Sequence, residues 1–322
     1  MAYKHVILVG DGMADYPISS LGQKTPLEVA NTPFMDLIAS GEIGLVKTIP
    51  EGMEPGSDVA NLSILGYDPK RYHTGRAPLE AASKGIRLSP NQTAFRMNLV
   101  SLSFGKDNTI TMLSHSGGDI GQREALELLH TLQERLSRDG IQIHPGVAYR
   151  HLLLWENAPP DLPNIPPHDH LGEDIRKFLE DPAGDPLWEL VRSSWEILPD
   201  HPVNKRRKES NLLPANSIWL WGQGKAPLLS PFEELFGVKG AVISAVDLVK
   251  GLGFSLGLEV IEVPGATGYL DSNFKGKADK AIEALEELDF VFLHVEAPDE
   301  ASHGGDLEKK IRAIEVFDRE VV

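Results

Sequence analysis

The run His5-Val-Ile-Leu-Val-Gly-Asp-Gly-Met13 opens the chain with apolar residues on both faces of one extended segment. A strand without a polar face must be covered on both sides, as it is inside a parallel sheet flanked by helices. Glu287–Val295, containing Leu288-Asp-Phe-Val-Phe-Leu-His-Val, has the same character, as do Ser217–Trp221, Gly240–Ser244 and Glu259–Val263. Helical patterns lie between these runs, over Ser244–Leu252 and Lys277–Leu288; the latter carries Ala278, Ile282, Leu285 and Leu288 at helical spacing. This alternation predicts an α/β fold built on a doubly wound, largely parallel sheet.

The middle of the chain has another texture. Gly85–Ser103 holds alternating pieces such as Thr93-Ala-Phe-Arg-Met-Asn-Leu-Val100, and Gly121–Arg138 reads as a helix through Ala125, Leu126, Leu129, Leu132 and Leu136. Val147–Trp155 reads as a strand, Ala158–Pro167 as a proline-rich loop, and the polar, basic stretch Leu198–Pro214 as a hinge. The expectation is an inserted α+β domain over residues 81–214, with 1–80 and 215–322 forming the α/β domain.

With 41% hydrophobic and 24% charged residues, the chain is not disordered. It has no cysteine, which removes disulfides, thiolate metal sites and cysteine nucleophiles and leaves oxygen and imidazole as metal ligands. A net charge of −16 argues against nucleic acid and anionic membranes as partners. No stretch approaches twenty apolar residues, so the expected location is cytoplasmic and the expected partner a small molecule. Oligomeric state stays open, and a homo-oligomer is compatible with the sequence.

Three elements could carry chemistry. Asp11 follows the first strand between Gly10 and Gly12, where a carboxylate serves a metal or a proton transfer, or merely caps a turn. In Asp299-Glu-Ala-Ser-His303, a helical i,i+4 spacing puts carboxylate and imidazole on one face, to share an ion or to form a plain surface pair. Ser57, in Pro55-Gly-Ser-Asp-Val-Ala-Asn61, is either a nucleophile at a loop-to-helix junction or that helix's N-cap. Two acid-bearing elements at strand ends together point to a divalent ion; without thiolate, Mn²⁺ is favoured over Mg²⁺ or Zn²⁺.

Longer strings carry a resemblance: Asp11-Gly-Met-Ala-Asp15, Pro55 through Pro69, Thr74-Gly-Arg-Ala-Pro-Leu-Glu-Ala81, Tyr149-Arg-His151, His201-Pro-Val-Asn204, Ile218-Trp-Leu-Trp-Gly-Gln-Gly224, Val263 through Tyr269 and Val295-Glu-Ala-Pro-Asp299. In this order they resemble the archaeal-type, cofactor-independent phosphoglycerate mutases of the alkaline phosphatase superfamily. The resemblance implies interconversion of 3- and 2-phosphoglycerate, in glycolysis and gluconeogenesis, without 2,3-bisphosphoglycerate. It implies a phosphoserine at Ser57 and two metal ions, Asp11 and Ser57 matching ligands of one, Asp299 and His303 of the other. It matches Arg150 to a substrate-contacting arginine. Arg206 and Arg207, Lys277 and His115 are further candidate substrate contacts, although the segment around His115 and Asp119 departs from the family's order. Other phosphatases or phosphomutases of the superfamily, or a non-catalytic homologue, are the competing readings.

The family pattern continues past the helix expected over Leu307–Val321 with more metal-ligating residues, whereas this chain stops at Val322. Asp11, Ser57, Asp299 and His303 are four ligands for two ions that each want three or more. The expectation is a truncated chain, inactive and weak in metal binding.

Overall fold

The computed structural model of the chain describes residues 3–137, 140–180 and 182–322. Its described strands are β1 His5–Gly10, β2 Gln92–Phe104, β3 Ile110–Ser114, β4 Ile141–Val147, β5 Arg150–Glu156, β6 Ser217–Lys225, β7 Gly240–Ile243, β8 Glu259–Val260 and β9 Phe290–Val295. The chain divides into two units, Met1–His73 with Ala82–Gly85 and Leu228–Val322, and Thr74–Ala81 with Ile86–Pro227.

In the first unit the sheet order is β1-β9-β7-β8, every pair parallel. The continuous apolar runs make this arrangement: all six residues of β9 are buried. Val291, Leu293 and Val295 pack with Ala281 and Phe274 of the helix Phe274–Glu287, and with Ala313 and Phe317 of the helix Leu307–Glu320. On the opposite face Phe290 stacks on Phe232. Each such side chain contributes about 1.5–3 kcal/mol of burial. The β1–β9 register pairs Val9 with His294 and Gly10 with Val295. Both strands therefore end together, and Asp11 and Glu296 leave the sheet side by side.

The second unit is an antiparallel sheet, order β3-β2-β5-β4, with β6 also paired to β2. The helices Gln122–Leu136 and Asp185–Trp195 bury Leu128, Leu129, Leu132, Leu187, Trp188 and Val191 in its core.

Several sequence expectations change. β6 belongs to this antiparallel sheet and not to the parallel one: Ser217–Trp221 is covered on both faces, and a doubly covered strand reads as continuously apolar whatever its ladder direction. Leu198–Pro214 is not a hinge. It contains the helix Pro202–Glu209, capped by His201, and buried Asn204 ties Leu198 to Ala215. Val147–Trp155 is broken by a turn at Ala148, whose φ is 51°. The helix expected over Gly121–Arg138 ends at Leu136, and Arg138 lies outside the described residues.

Candidate functional site

At the carboxyl end of β1, the Asp11 N–H donates to Val295 O over 2.9 Å, which fixes the turn against β9. Inside that corner lies His294, fully buried. Its Nε2 is 3.0 Å from Asp11 Oδ2 and 3.2 Å from Glu296 Oε2, and its Nδ1 is 3.2 Å from Ser244 Oγ just past β7. One N–H cannot serve two carboxylates. It bonds Asp11, and Glu296 Oε2 is buried without a hydrogen-bond partner. Asp11, His294 and Glu296 each offer a ligand atom, all within 4.8 Å of one another.

The acids destabilise one another as anions. Burial, then the charges of Asp11, Asp299 and Glu300, push the Glu296 carboxyl up to about 8. Burial and Asp11 also raise Asp299. Beneath them Lys277, only 1% exposed, donates from Nζ to His294 O over 3.0 Å. Burial pulls this ammonium down to about 8, while the negative charge of Glu296 opposes the change. Lys277 is thus an internal counter-charge under β9, with one of its three donors given to a backbone carbonyl.

The helix Ala297–His303 follows β9 directly. Gly12, at φ 71°, is the residue on which it rests, because a Cβ there would run into the backbone of Asp299. Asp299 Oδ2 and His303 Nε2 are 3.4 Å apart across the expected i,i+4 face. Buried Glu296 beside half-buried Asp11 and Asp299, carboxylates that repel one another, is the electrostatic setting a divalent cation relieves. The donor set, oxygen and imidazole, suits Mn²⁺.

Ser57 is the first residue of the helix Ser57–Ile64, and the N-cap position belongs to Gly56, which is extended. The N-cap reading of Ser57 is therefore replaced: Ser57 is the first residue inside the helix, among the backbone N–H groups that a helix start leaves without intrahelical partners. The neighbouring Asp58 is buried and lies 2.8 Å from His73 Nε2.

In the second unit, two arginines flank a row of aromatic rings. The Arg150 guanidinium lies 5.4 Å from the Tyr149 ring, which meets His115 edge-on at 5.7 Å. His115 faces His168 at 6.2 Å, and His168 faces Trp221 at 5.3 Å. Arg96 stacks 4.1 Å over Trp221 and holds Glu80 at 3.0 Å. Burial, then the approach of His168, lowers the His115 imidazole; Asp119 opposes this. The two arginines of the basic run do not join the row. Arg206 pairs with Glu127 at the surface, over 3.0 Å. Buried Arg207 is committed to Leu213 O, Glu124, Gly117 O and Gly118 O.

Sequence reasoning missed His294 and Glu296. A histidine inside Phe290-Val-Phe-Leu-His-Val295 is the one polar residue of a buried strand, next in register to the strand bearing Asp11. That register was the signal. The structure places these two donors beside Asp11, and Asp299 is close enough for its charge to act on Glu296.

A parallel α/β unit with acids and imidazole at adjoining strand ends belongs to the class whose sites form at the carboxyl edge of the sheet. The family model for 2,3-bisphosphoglycerate-independent phosphoglycerate mutase matches residues 39–204. A Geobacter sulfurreducens protein named a probable 2,3-bisphosphoglycerate-independent phosphoglycerate mutase is 53% identical over 99% of this chain and 80% of its own. A Methanosarcina barkeri 2,3-bisphosphoglycerate-independent phosphoglycerate mutase is 52% identical with the same coverage. The solved cofactor-independent phosphoglycerate mutase of Thermoplasma acidophilum has a TM-score of 0.64 at 31% identity, over 99% of this chain and 82% of that one. A Pyrococcus horikoshii structure reaches 0.81 at 31% identity, over 99% of this chain and 77% of that one. The chain belongs to the 2,3-bisphosphoglycerate-independent phosphoglycerate mutase family.

Proposed function

We propose that the protein is an isomerase interconverting 3-phosphoglycerate and 2-phosphoglycerate through a phosphoserine at Ser57. The observation that carries the reading is family membership over nearly the whole chain, joined to the Asp11–His294–Glu296 corner beside Asp299. Asp11, Asp299 and His303 would hold divalent cations together with Ser57, with Glu296 in reach. His294, whose two nitrogens are engaged by Asp11 and Ser244, orients Asp11 from behind. Bound cations supply charge neutralisation and a lowered hydroxyl pKa.

The chain's own residues do the rest. Ser57 Oγ attacks phosphorus and gives up its proton; the serine–phosphate bond forms, the bond to the glycerate oxygen breaks, and that oxygen takes up a proton to become a hydroxyl, so no net proton is gained or lost. Glycerate then presents its other hydroxyl to phosphoserine, and the reverse transfer restores Ser57. Arg150 offers a planar fork for a carboxylate or phosphate, and His115 an imidazole for a hydroxyl. Independence from 2,3-bisphosphoglycerate follows, because the transferred phosphoryl group is the substrate's own.

The test is conversion of 3-phosphoglycerate by the 322-residue chain with Mn²⁺ and no bisphosphoglycerate. The expected product is 2-phosphoglycerate without release of inorganic phosphate. Steady phosphate release would make the protein a phosphatase, and no turnover would contradict the proposal.

A further inference from the structure

Arg207 is buried in the second unit, and all of its bonds run to one neighbourhood. Its Nε donates to Leu213 O over 2.9 Å and one terminal nitrogen to Glu124 Oε2 over 2.6 Å. The other terminal nitrogen spans Gly117 O at 3.2 Å and Gly118 O at 2.7 Å. Gly117, Gly118 and Asp119 are three consecutive residues at positive φ, 61°, 67° and 53°. Glycine tolerates this backbone and aspartate does so less readily, so the turn has to be held by its surroundings. From inside, Ser114 Oγ accepts from Gly118 N, and Ser116 Oγ donates to Asp119 Oδ1. From outside, Arg207 takes the two glycine carbonyls. His115 sits within this turn's base, its carbonyl accepting from Asn98 Nδ2 over 3.0 Å and its ring set between Tyr149 and His168.

We propose that Arg207 is a positioning residue for His115: it clamps the left-handed turn Gly117–Asp119 and thereby fixes the imidazole against Tyr149 and His168. The inference deepens the reading of His115 as a substrate contact and rests on it. A guanidinium is suited to the task, because a rigid fork reaches three carbonyls and a carboxylate at once while an ammonium cannot. The groups that face His115 are Tyr149, His168 and Asp119, and none of them touches Arg207 among the described residues. The effect of Arg207 on His115 therefore travels through the turn.

The test compares the 322-residue protein with Arg207→Lys, following the His115 Cε1–H resonance, assigned by His115→Gln, during titrations with acid and with 3-phosphoglycerate. In the variant the His115 midpoint should rise towards an ordinary imidazole, and the dissociation constant for 3-phosphoglycerate should rise about 10- to 100-fold, as misplacement of a binding group does. A variant that melts earlier but keeps both the His115 midpoint and the dissociation constant within twofold of the parent would overturn the proposal. Should Arg207→Lys fail to fold, Glu124→Gln, which weakens the anchor that holds the guanidinium against the two glycine carbonyls, should move both readouts in the same direction by a smaller factor; no movement would overturn it equally. If the parent protein does not bind 3-phosphoglycerate, the functional reading falls, and the His115 midpoint alone decides the role of Arg207.

Discussion

His294 shows how one side chain sets the chemistry of several. It is buried between Asp11 and Glu296 and makes its hydrogen bond to the first, so among the described residues Glu296 Oε2 keeps no hydrogen-bond partner. Replacing it, His294→Ala, should weaken Mn²⁺ binding about 10- to 100-fold by calorimetry, the loss typical when a ligand's buried orienting partner is removed; unchanged affinity would show that Asp11 needs no orientation. The same corner fixes a pH dependence. Glu296 is raised from 4.5 to about 8, so between these values the folded protein holds a proton the unfolded chain has lost, and stability falls as pH rises. Lys277 is lowered from 10.5 to about 8, so above 8 the unfolded chain holds the extra proton and stability rises again. In chelator, melting temperature against pH should pass through a trough near 8. Glu296→Gln should flatten its acidic limb, and an unchanged limb would contradict the assignment. Asp11, Ser57, Asp299 and His303 stand out as candidates in the sequence because Asp11 follows a strand, Ser57 starts a helix, and Asp299 and His303 share an i,i+4 face. His294 was not, because nothing in a buried apolar run announces which neighbour its one imidazole meets; only the β1–β9 register does.

At the scale of elements, the sequence distinguished covered strands from half-covered ones and could not tell parallel from antiparallel partners. β6 illustrates the limit, since burial on both faces erases the alternation that marks most antiparallel strands. The basic run Lys205–Lys208 illustrates another. Charge and flanking prolines suggest an exposed linker, but Asn204 bonds Leu198 O, Ala215 O and Ala215 N, closing the segment on itself. A buried amide with three partners is costly to remove: Asn204→Ala should destabilise the protein by about 1–3 kcal/mol and open Lys205–Lys208 to trypsin. Unaltered cleavage would mean the segment is already open. The contact of Gly12 with the backbone of Asp299 ties the first strand's turn to the helix Ala297–His303. Gly12→Ala should therefore weaken Mn²⁺ binding as well as folding, although it alters no ligand; a loss of stability alone would separate the two elements.

For the whole molecule, the charge of −16 argues against polyanionic partners, and the absence of cysteine removes thiolate chemistry and points to oxygen and imidazole donors. The division into a parallel and an antiparallel unit was legible as a change of texture along the chain, and its boundaries moved because Thr74–Ala81 and Ser217–Lys225 associate with the second unit. Cations gathered at Arg150 and Arg96 beside His115 and His168 are a local exception in an acidic protein, the arrangement a small anionic substrate requires. The proposed reaction requires Ser57 to carry the phosphoryl group between the two hydroxyls. Acid quenching of the protein with 3-phosphoglycerate and Mn²⁺, followed by peptide mass spectrometry, reads this directly. Phosphate on Ser57, absent from Ser57→Ala, together with 2-phosphoglycerate and no free phosphate, is the predicted result; product formed with Ser57 unmodified, or by Ser57→Ala, would contradict it.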